Sequence, residues 1–223
     1  MTVVLLWDID GTLLSTSRGG VRALELAARE VSGADADLSK MHTAGLTDGQ
    51  IAGRILEAQG VDAGAEAVQR FLRVYERELP AALGTRQGKV MPGVDAILDE
   101  LDSDAGVRSL LLTGNTEAGA GAKLAHYGLT RYFDEGGAFC VDGAARATIA
   151  ERAVEHSGPG FETDRALVIG DTVHDVECAR AIGVRCLGVG TGGGTVAELE
   201  DAGAWKALEQ LPEPSAFRTL IGL

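Results

Sequence analysis

Short apolar runs alternate with amphipathic stretches along most of the chain, and this alternation is typical of a parallel sheet whose strands are joined by helices. The runs predicted as buried strands are residues 3–7, 108–112, 138–141, 166–169 and 184–189. Helical spacing of apolar residues predicts helices over residues 94–101, 117–127, 147–156 and 175–182. The pattern therefore predicts an α/β fold with a doubly wound parallel sheet and right-handed crossovers.

One segment breaks this rhythm, because residues 15–86 contain no convincing strand. Apolar residues recur there at helical spacing in three groups, namely positions 21, 24, 27, 28 and 31, then 51, 55 and 56, then 68, 71, 72 and 75. We therefore expect a helical cap domain over residues 16–86, inserted into a Rossmann-like core formed by residues 1–15 and 87–223.

Composition narrows the class of partner. The chain has 223 residues, 45% hydrophobic and 24% charged, which suits a globular protein with a sizeable core. Its formal net charge of −13 disfavours binding to nucleic acid or to an anionic membrane surface. Three cysteines without metal-ligand spacing favour a reducing compartment. The first apolar run is too short for a signal peptide or a membrane span. We expect a cytoplasmic protein, monomer or homodimer, acting on a small molecule.

Polar side chains directly follow three of the predicted strands. They are Asp8 and Asp10 after the first, Thr113 and Asn115 after the second, and Asp171 and Asp175 after the fourth. Ligands of open α/β sheets bind beyond the carboxyl ends of the strands, so these side chains are expected to meet. Four neighbouring carboxylates would repel one another without a hard cation, and ligation by oxygen alone favours Mg²⁺. Each residue alone could serve a turn or a helix cap, but three such strand ends in this order argue against coincidence.

Three stretches resemble the motifs of the haloacid dehalogenase-like hydrolase superfamily. "DIDGTLL" is similar to its first motif, "LLTGN" to its second and "VIGDTVHD" to its acidic fourth. The resemblance implies that Asp8 is a nucleophile that forms an aspartyl-phosphate and that Asp10 is the general acid and base, with its backbone carbonyl reaching the metal. It also implies that Asp171 ligates Mg²⁺ and that Asp175 supports the ion directly or through water.

The second motif is expected to bind the phosphate. Thr113 and the adjacent backbone N–H groups at Gly114 and Asn115 would hold phosphate oxygens. Gly11 allows the chain to turn sharply after the paired acids.

The third motif of the superfamily requires a Lys or Arg that bridges the nucleophile and the phosphate, and two candidates remain. Arg146, in "FCVDGAARATIAERAV", lies after the third strand at the start of a helix, where the family places its cation. Lys123, in "NTEAGAGAKLAHYGL", lies in the middle of a helix and is expected to cover a solvated face. We favour Arg146.

The predicted cap contains "HTAGLTDGQIAGRIL", which resembles a stretch that closes over the active site in phosphoglycolate phosphatase-like members. Candidate specificity residues are His42, Thr47, Asp48 and Arg54, although Thr47 or Asp48 could simply cap a helix that begins near Gln50. The glycine-rich stretch at residues 188–195 is expected to be a flexible turn after the last strand.

The functional prediction is a Mg²⁺-dependent phosphatase that hydrolyses a small phosphate monoester, such as a phosphoglycolate-like compound. Retention of Asp10 disfavours dehalogenases and phosphonatases, whereas a sugar phosphomutase of the β-phosphoglucomutase type keeps both acids and remains an alternative. A signalling receiver domain is a second alternative, and it is disfavoured because receiver domains lack a helical insertion of this kind. A catalytically silent Mg²⁺-binding module is disfavoured because all the expected acids are present.

Overall fold

The structure is a computed structural model that describes residues 2–39, 41, 43–141 and 145–222. Six parallel strands form one sheet in the order β5-β4-β1-β6-β7-β8. These strands are β1 Val3–Trp7, β4 Val107–Leu112, β5 Gly137–Ala138, β6 Ala166–Gly170, β7 Arg185–Val189 and β8 Lys206–Leu208. The predicted α/β fold with a doubly wound parallel sheet is confirmed.

Helices cover both faces of this sheet. The helices are α4 Val94–Asp102, α5 Glu117–Tyr127, α6 Arg146–Ser157, α7 Val173–Ala181, α8 Val196–Asp201 and α9 Pro214–Ile221. Alternate residues of β1 face opposite ways: Leu5 and Trp7 pack in one apolar cluster with α4, α5 and α9, and Leu6 packs in the other with α6, α7 and α8. Trp7 stacks on Phe217 of α9 with ring centroids 5.9 Å apart.

Strand order reverses around β1, and this reversal positions the site. The chain runs outward from β1 through β4 to β5, then returns to the other side of β1 for β6, β7 and β8. The carboxyl ends of β1, β4 and β6 therefore border one crevice, as expected at a topological switch point. Asp8 and Asp10, Thr113 and Asn115, and Asp171 all follow these three ends.

Residues between β1 and α4 form a helical group with a two-stranded base. Its helices are α1 Gly19–Ser32, α2 Asp48–Ala58 and α3 Ala65–Gly84, which share an apolar cluster that includes Ala27, Ile55 and Phe71. β2 Leu14–Ser15 pairs antiparallel with β3 Lys89–Val90, so the chain leaves and re-enters the core at adjacent positions. The three predicted helices are present. The division into a cap at 16–86 and a core stays a prediction.

Three short strands were not predicted. β2 and β3 contain two residues each, too few for a recognisable period, and β8 alternates poorly between polar and apolar residues. Since β8 follows β7, the run at 184–189 is not the last strand, which corrects that expectation. Within the described ranges, no helix combines the length and the apolar character needed to cross a bilayer.

Candidate active site

Three buried carboxylates meet at the carboxyl edge of the sheet. Asp8 follows β1, Asp171 follows β6, and Asp175 lies in the first turn of α7. One oxygen from each lies within 4.8 Å of the others. A cluster of carboxylate oxygens suits a hard divalent cation such as Mg²⁺ better than a softer metal. The structure thus brings together the carboxylates of three of the four predicted metal residues. The side chain of the fourth, Asp10, instead accepts hydrogen bonds from Asn115 and Lys123.

Electrostatics at this cluster favour the entry of a cation. Burial, together with the neighbouring charge of Asp175, raises the pKa of Asp8 well above its ordinary value. The same two causes raise the pKa of Asp171 to about 7, although hydrogen bonds from Gly193 and Thr12 oppose the shift. Close carboxylates that are buried together resist ionisation until a positive charge compensates them. The donor set therefore fits the metal ion that the sequence predicts.

Arg146 supplies one positive charge to the cluster. It is the first residue of α6, and its Nη1 donates to Asp175 Oδ1 at 2.5 Å while its Nη2 lies 3.8 Å from Asp8 Oδ1. Burial alone would lower the pKa of Arg146, but Asp175 and Asp8 raise it above its ordinary value, so the guanidinium stays charged. Its Nε is buried without a hydrogen-bond partner among the described residues. The geometry therefore agrees with the position expected for the bridging cation.

Asp175 also organises the start of α7. Its Oδ2 accepts hydrogen bonds from the backbone N–H of Thr172 at 2.9 Å and from the Thr172 hydroxyl at 2.8 Å. The same carboxylate therefore caps the helix, holds Arg146 and faces Asp8. Helix capping and metal support, which the sequence left as alternatives, are compatible at this residue.

Lys123 does not cover a solvated face, so that expectation is wrong. Its side chain is 5% exposed, and its Nζ pairs with Asp10 Oδ2 at 2.5 Å and with Asn115 Oδ1 at 2.5 Å. The helix face that carries Lys123 is covered because α5 packs against α3 of the helical group, which the amphipathic pattern of α5 alone could not indicate. Burial alone would lower the pKa of Lys123, but Asp10, Tyr75 and Asp48 raise it above its ordinary value.

The loop after β4 connects the core to the helical group. Thr113 Oγ1 accepts hydrogen bonds from the backbone N–H and side-chain Nδ2 of Asn115, at 3.3 and 2.8 Å. Gly114 accepts a hydrogen bond from the backbone N–H of Asp48 at 2.7 Å. A Cβ at Gly114 would lie 2.9 Å from the carbonyl oxygen of Leu46, so only glycine allows this close approach.

The predicted specificity residues differ from one another in burial and in their distance from the paired acids. Thr47 is fully buried and caps α2 in a reciprocal capping box with Gln50. Asp48 is also buried, and its Oδ2 accepts a hydrogen bond from the backbone N–H of Thr116 at 2.8 Å. Burial raises the pKa of Asp48 to about 6. Arg54 is exposed and lines a groove between α2 and α3, away from the paired acids. His42 lies outside the described residues.

The glycine-rich stretch contacts the carboxylate cluster, which corrects its interpretation as a simple turn. The backbone N–H of Gly193 donates to Asp171 Oδ2 at 2.5 Å, and the hydroxyl of Thr191 donates to the carbonyl oxygen of Gly11 at 2.6 Å. A Cβ at Gly192 would lie 2.0 Å from Asp171 Oδ2. The signal for this role was available: the glycines follow a strand that ends at the same edge of the sheet.

A cavity of about 350 Å³ joins these groups. Core residues on its wall include Asp8, Asp10, Gly114, Asn115, Lys123, Arg146 and Asp171, and residues of the helical group include Arg18, Leu24, Asp48, Ile51 and Tyr75. Three buried residues, Thr47, Thr113 and Asp175, are not among the described residues that line this cavity. Sequence analysis missed Arg18, which adopts a left-handed conformation with φ 68° at the start of α1.

Comparison with known proteins agrees with these observations. Residues 5–189 match the family model for haloacid dehalogenase-like hydrolases. The chain is 28% identical to a 5'-nucleotidase of Pseudomonas aeruginosa over 87% of this chain and 86% of that protein. It is 31% identical to the probable phosphatase IndB of Dickeya dadantii over 91% of this chain and 87% of that protein. A crystal structure of a predicted phosphatase from Clostridium acetobutylicum superposes with a TM-score of 0.76, 23% identity and full coverage of both chains. The chain belongs to the haloacid dehalogenase-like hydrolase family.

Proposed function

We propose that the chain is a Mg²⁺-dependent phosphatase that hydrolyses a small phosphate monoester through an aspartyl-phosphate on Asp8. The observation that carries the proposal is that Asp8 and Asp10, two residues apart, line one cavity with different partners. Asp8 is buried beside Arg146 and the two other carboxylates, whereas the side chain of Asp10 is 44% exposed and borders the cavity. Two carboxylates in different surroundings can perform different catalytic roles.

In the first step, a carboxylate oxygen of Asp8 attacks phosphorus, and the bond between phosphorus and the leaving oxygen breaks. Asp10 donates its proton to that oxygen, so the alcohol leaves neutral. In the second step, Asp10 takes a proton from water as the water oxygen attacks the aspartyl-phosphate. The bond from phosphorus to Asp8 breaks, which releases inorganic phosphate and restores both residues.

Positive charge is needed because an anionic nucleophile approaches an anionic ester. Asp8 and Asp171 would hold Mg²⁺, with Asp175 in support and the carbonyl of Asp10 as a further oxygen; when bound, the ion neutralises charge on the phosphate and on the carboxylates. Arg146 would contact the transferring phosphoryl group, because it lines the cavity and its Nη2 lies 3.8 Å from Asp8 Oδ1. Gly114 and Asn115 line the cavity where phosphate oxygens would lie, and Thr113 supports Asn115 from behind.

The substrate we propose is a small phosphorylated metabolite of the cytoplasm, with phosphoglycolate-like esters among the candidates. The cavity of about 350 Å³ is large enough for a metabolite and too small for a folded protein segment. Asp48 would contact the organic part of the ester from the proposed cap over residues 16–86. Leu24, Ile51 and Tyr75 contribute apolar surface nearby. The names of two relatives, a 5'-nucleotidase and a probable phosphatase, support hydrolysis of a phosphate ester.

The test is phosphate release from a panel of small phosphate monoesters in the presence of Mg²⁺, ranked by kcat/KM. Asp8→Asn should lose activity on every ester, whereas a matched substitution at the exposed Asp201 of α8, Asp201→Asn, should retain it. Release of phosphate by Asp8→Asn at the wild-type rate would contradict the proposal.

A sugar phosphomutase would use the same two acids, because it also needs an aspartyl-phosphate and a proton donor. The product distinguishes the two activities. Inorganic phosphate identifies the hydrolase that we propose, and an isomeric sugar phosphate formed without phosphate release identifies the mutase.

A further inference from the structure

We propose that Lys123 and Asn115 form a clamp that positions Asp10 for proton transfer; this inference rests on the proposed function. Both residues donate to the same carboxylate oxygen, Asp10 Oδ2, from Asn115 Nδ2 at 2.9 Å and from Lys123 Nζ at 2.5 Å. Asp10 also lines the cavity, so we expect its other carboxylate oxygen, Oδ1, to face the substrate. Lys123 and Asn115 act through Asp10, and they are therefore positioning residues.

The contrast in exposure between the partners supports the clamp. The Asp10 side chain is 44% exposed, and the Lys123 side chain is 5% exposed. Burial of an ammonium group costs several kcal/mol unless carboxylates and other acceptors compensate it. An apolar side chain would fill the same space on α5 without this cost. The lysine at this position therefore indicates a requirement for its charge at Asp10.

Further hydrogen bonds fix the side chain of Asn115 within the clamp. Asn115 Oδ1 accepts from Lys123 Nζ at 2.5 Å, and Asn115 Nδ2 also donates to Thr113 Oγ1 at 2.8 Å. Asp10, Lys123 and Asn115 thus form a closed triangle of contacts, and Thr113 fixes the amide orientation within it. A side chain with both rotamer and partner fixed keeps a reacting atom in place more reliably than one contact does.

The clamp also lies against the helical group. Asp48 and Tyr75 face Lys123 from α2 and α3, and Asp48 is fixed by the backbone N–H of Thr116 at the start of α5. Lys123 is therefore enclosed by core residues on one side and by helical-group residues on the other. This placement connects the position of Asp10 to the seating of those helices.

The clamp predicts which catalytic steps depend on Lys123. When Asp10 gives its proton to the leaving oxygen, the resulting carboxylate stays paired with the lysine, which keeps its own proton throughout. Loss of the clamp should therefore slow every step in which Asp10 moves a proton. The first step should be spared when the ester has a good leaving group, because such a group needs little protonation.

The test is a double-mutant cycle with Asp10→Asn, Lys123→Met and the double variant. Lys123→Met should lower kcat on an alkyl phosphate by about tenfold to a hundredfold. Adding it to Asp10→Asn should lower kcat by no more than about threefold further, because residues that act as a unit are not additive. Lys206→Gln, an exposed lysine on β8, is the matched control and should retain wild-type kcat.

A second readout separates positioning from a general structural defect. Lys123→Met mixed with p-nitrophenyl phosphate should accumulate phosphoenzyme on Asp8, measured by rapid quench and mass spectrometry, because the first step is spared and the second is slowed. A structural defect would lower both steps together. If Lys123→Met does not fold, the same cycle and the same quench are run with Asn115→Ala, for which we expect the same coupling.

Additive losses in the cycle, or no phosphoenzyme in the single variant, would overturn the clamp. If wild-type protein releases phosphate and the cycle is additive, only the clamp fails. If wild-type protein releases no phosphate from any ester, the proposed function fails instead.

Discussion

Two groups of charges border the same cavity, and they are built differently. The core group consists of three buried carboxylates, Asp8, Asp171 and Asp175, and of Arg146, whose side chain is 14% exposed. All four are carried by the ends of core strands or by the first turns of core helices. The interface group consists of Asp10, Lys123 and Asp48, of which Asp10 is partly exposed and Asp48 comes from the helical group. In the proposed mechanism, the core alone would position the nucleophile, whereas the residue proposed for proton transfer depends on contacts that the helical group completes.

The largest effect should come from the core group. We expect Asp8→Asn to lower kcat/KM by at least about a thousandfold, because the nucleophile is lost. The fold should be intact, since the substitution keeps the size of the side chain, and circular dichroism would verify this. An activity within tenfold of wild type in a folded variant would remove Asp8 from its assigned role.

The interface group can be probed through Asp48. Burial raises its pKa to about 6, and the negative charges of Asp10 and Glu76 add to this shift. The positive charge of Lys123 and the hydrogen bond from Thr116 oppose it. The native state therefore holds this proton at a higher pH than the unfolded chain does. The stability from this proton is fully present below about pH 4 and is lost as the pH rises through about 6.

Asp48→Asn cannot ionise and should not show this loss. Its free energy of unfolding relative to wild type should therefore rise by about 2 kcal/mol between pH 4 and 7. Denaturant unfolding at several pH values measures the difference. Because the two proteins have all other carboxyl groups in common, the difference reports on Asp48. A difference that does not vary with pH would show that Asp48 does not titrate in this range.

The core group should respond to Mg²⁺ in stability as well as in activity. A ligand that binds only the native state stabilises it by RT ln(1 + [L]/Kd), about 2.7 kcal/mol at a hundredfold excess over Kd. Millimolar Mg²⁺ should therefore raise the melting temperature of wild type, and Asp171→Ala should reduce this response. A chelator should abolish turnover, and added Mg²⁺ should restore it. An unchanged response in Asp171→Ala would place the ion elsewhere.

A smaller effect is expected from the glycine loop that supports the core group. A Cβ at Gly192 would lie 2.0 Å from Asp171 Oδ2, so Gly192→Ala should displace that carboxylate. We expect kcat/KM to fall about tenfold and the Mg²⁺ concentration for half-maximal activity to rise. Gly53→Ala in α2, where no atom lies within 4 Å of the added Cβ, is the control and should be neutral or slightly stabilising. Equal behaviour of the two variants would contradict the role of the loop.

The sequence predicted the core group better than the interface group, for a physical reason. Strand periodicity placed Asp8 and Asp171 at one edge of the sheet, because residues after parallel strands must meet there. Lys123 was misassigned because its burial comes from α3, which is distant in sequence and packs against α5. For Gly192 part of the signal was present in the sequence, since the glycines follow a strand that ends at the same edge of the sheet, but the contact with Asp171 also depends on how the loop folds back. Local periodicity predicts elements; contacts between elements require the fold.

The central claim is that Asp8 becomes phosphorylated, and one measurement tests it directly. Asp10→Asn is mixed with a phosphate ester that has a good leaving group, quenched in acid and analysed by peptide mass spectrometry. The slowed second step should leave one phosphoryl group on the peptide that contains Asp8, and Asp8→Asn combined with Asp10→Asn should carry none. A protein that turns over the ester without any phosphoryl adduct, or with the adduct on another residue, would contradict the mechanism.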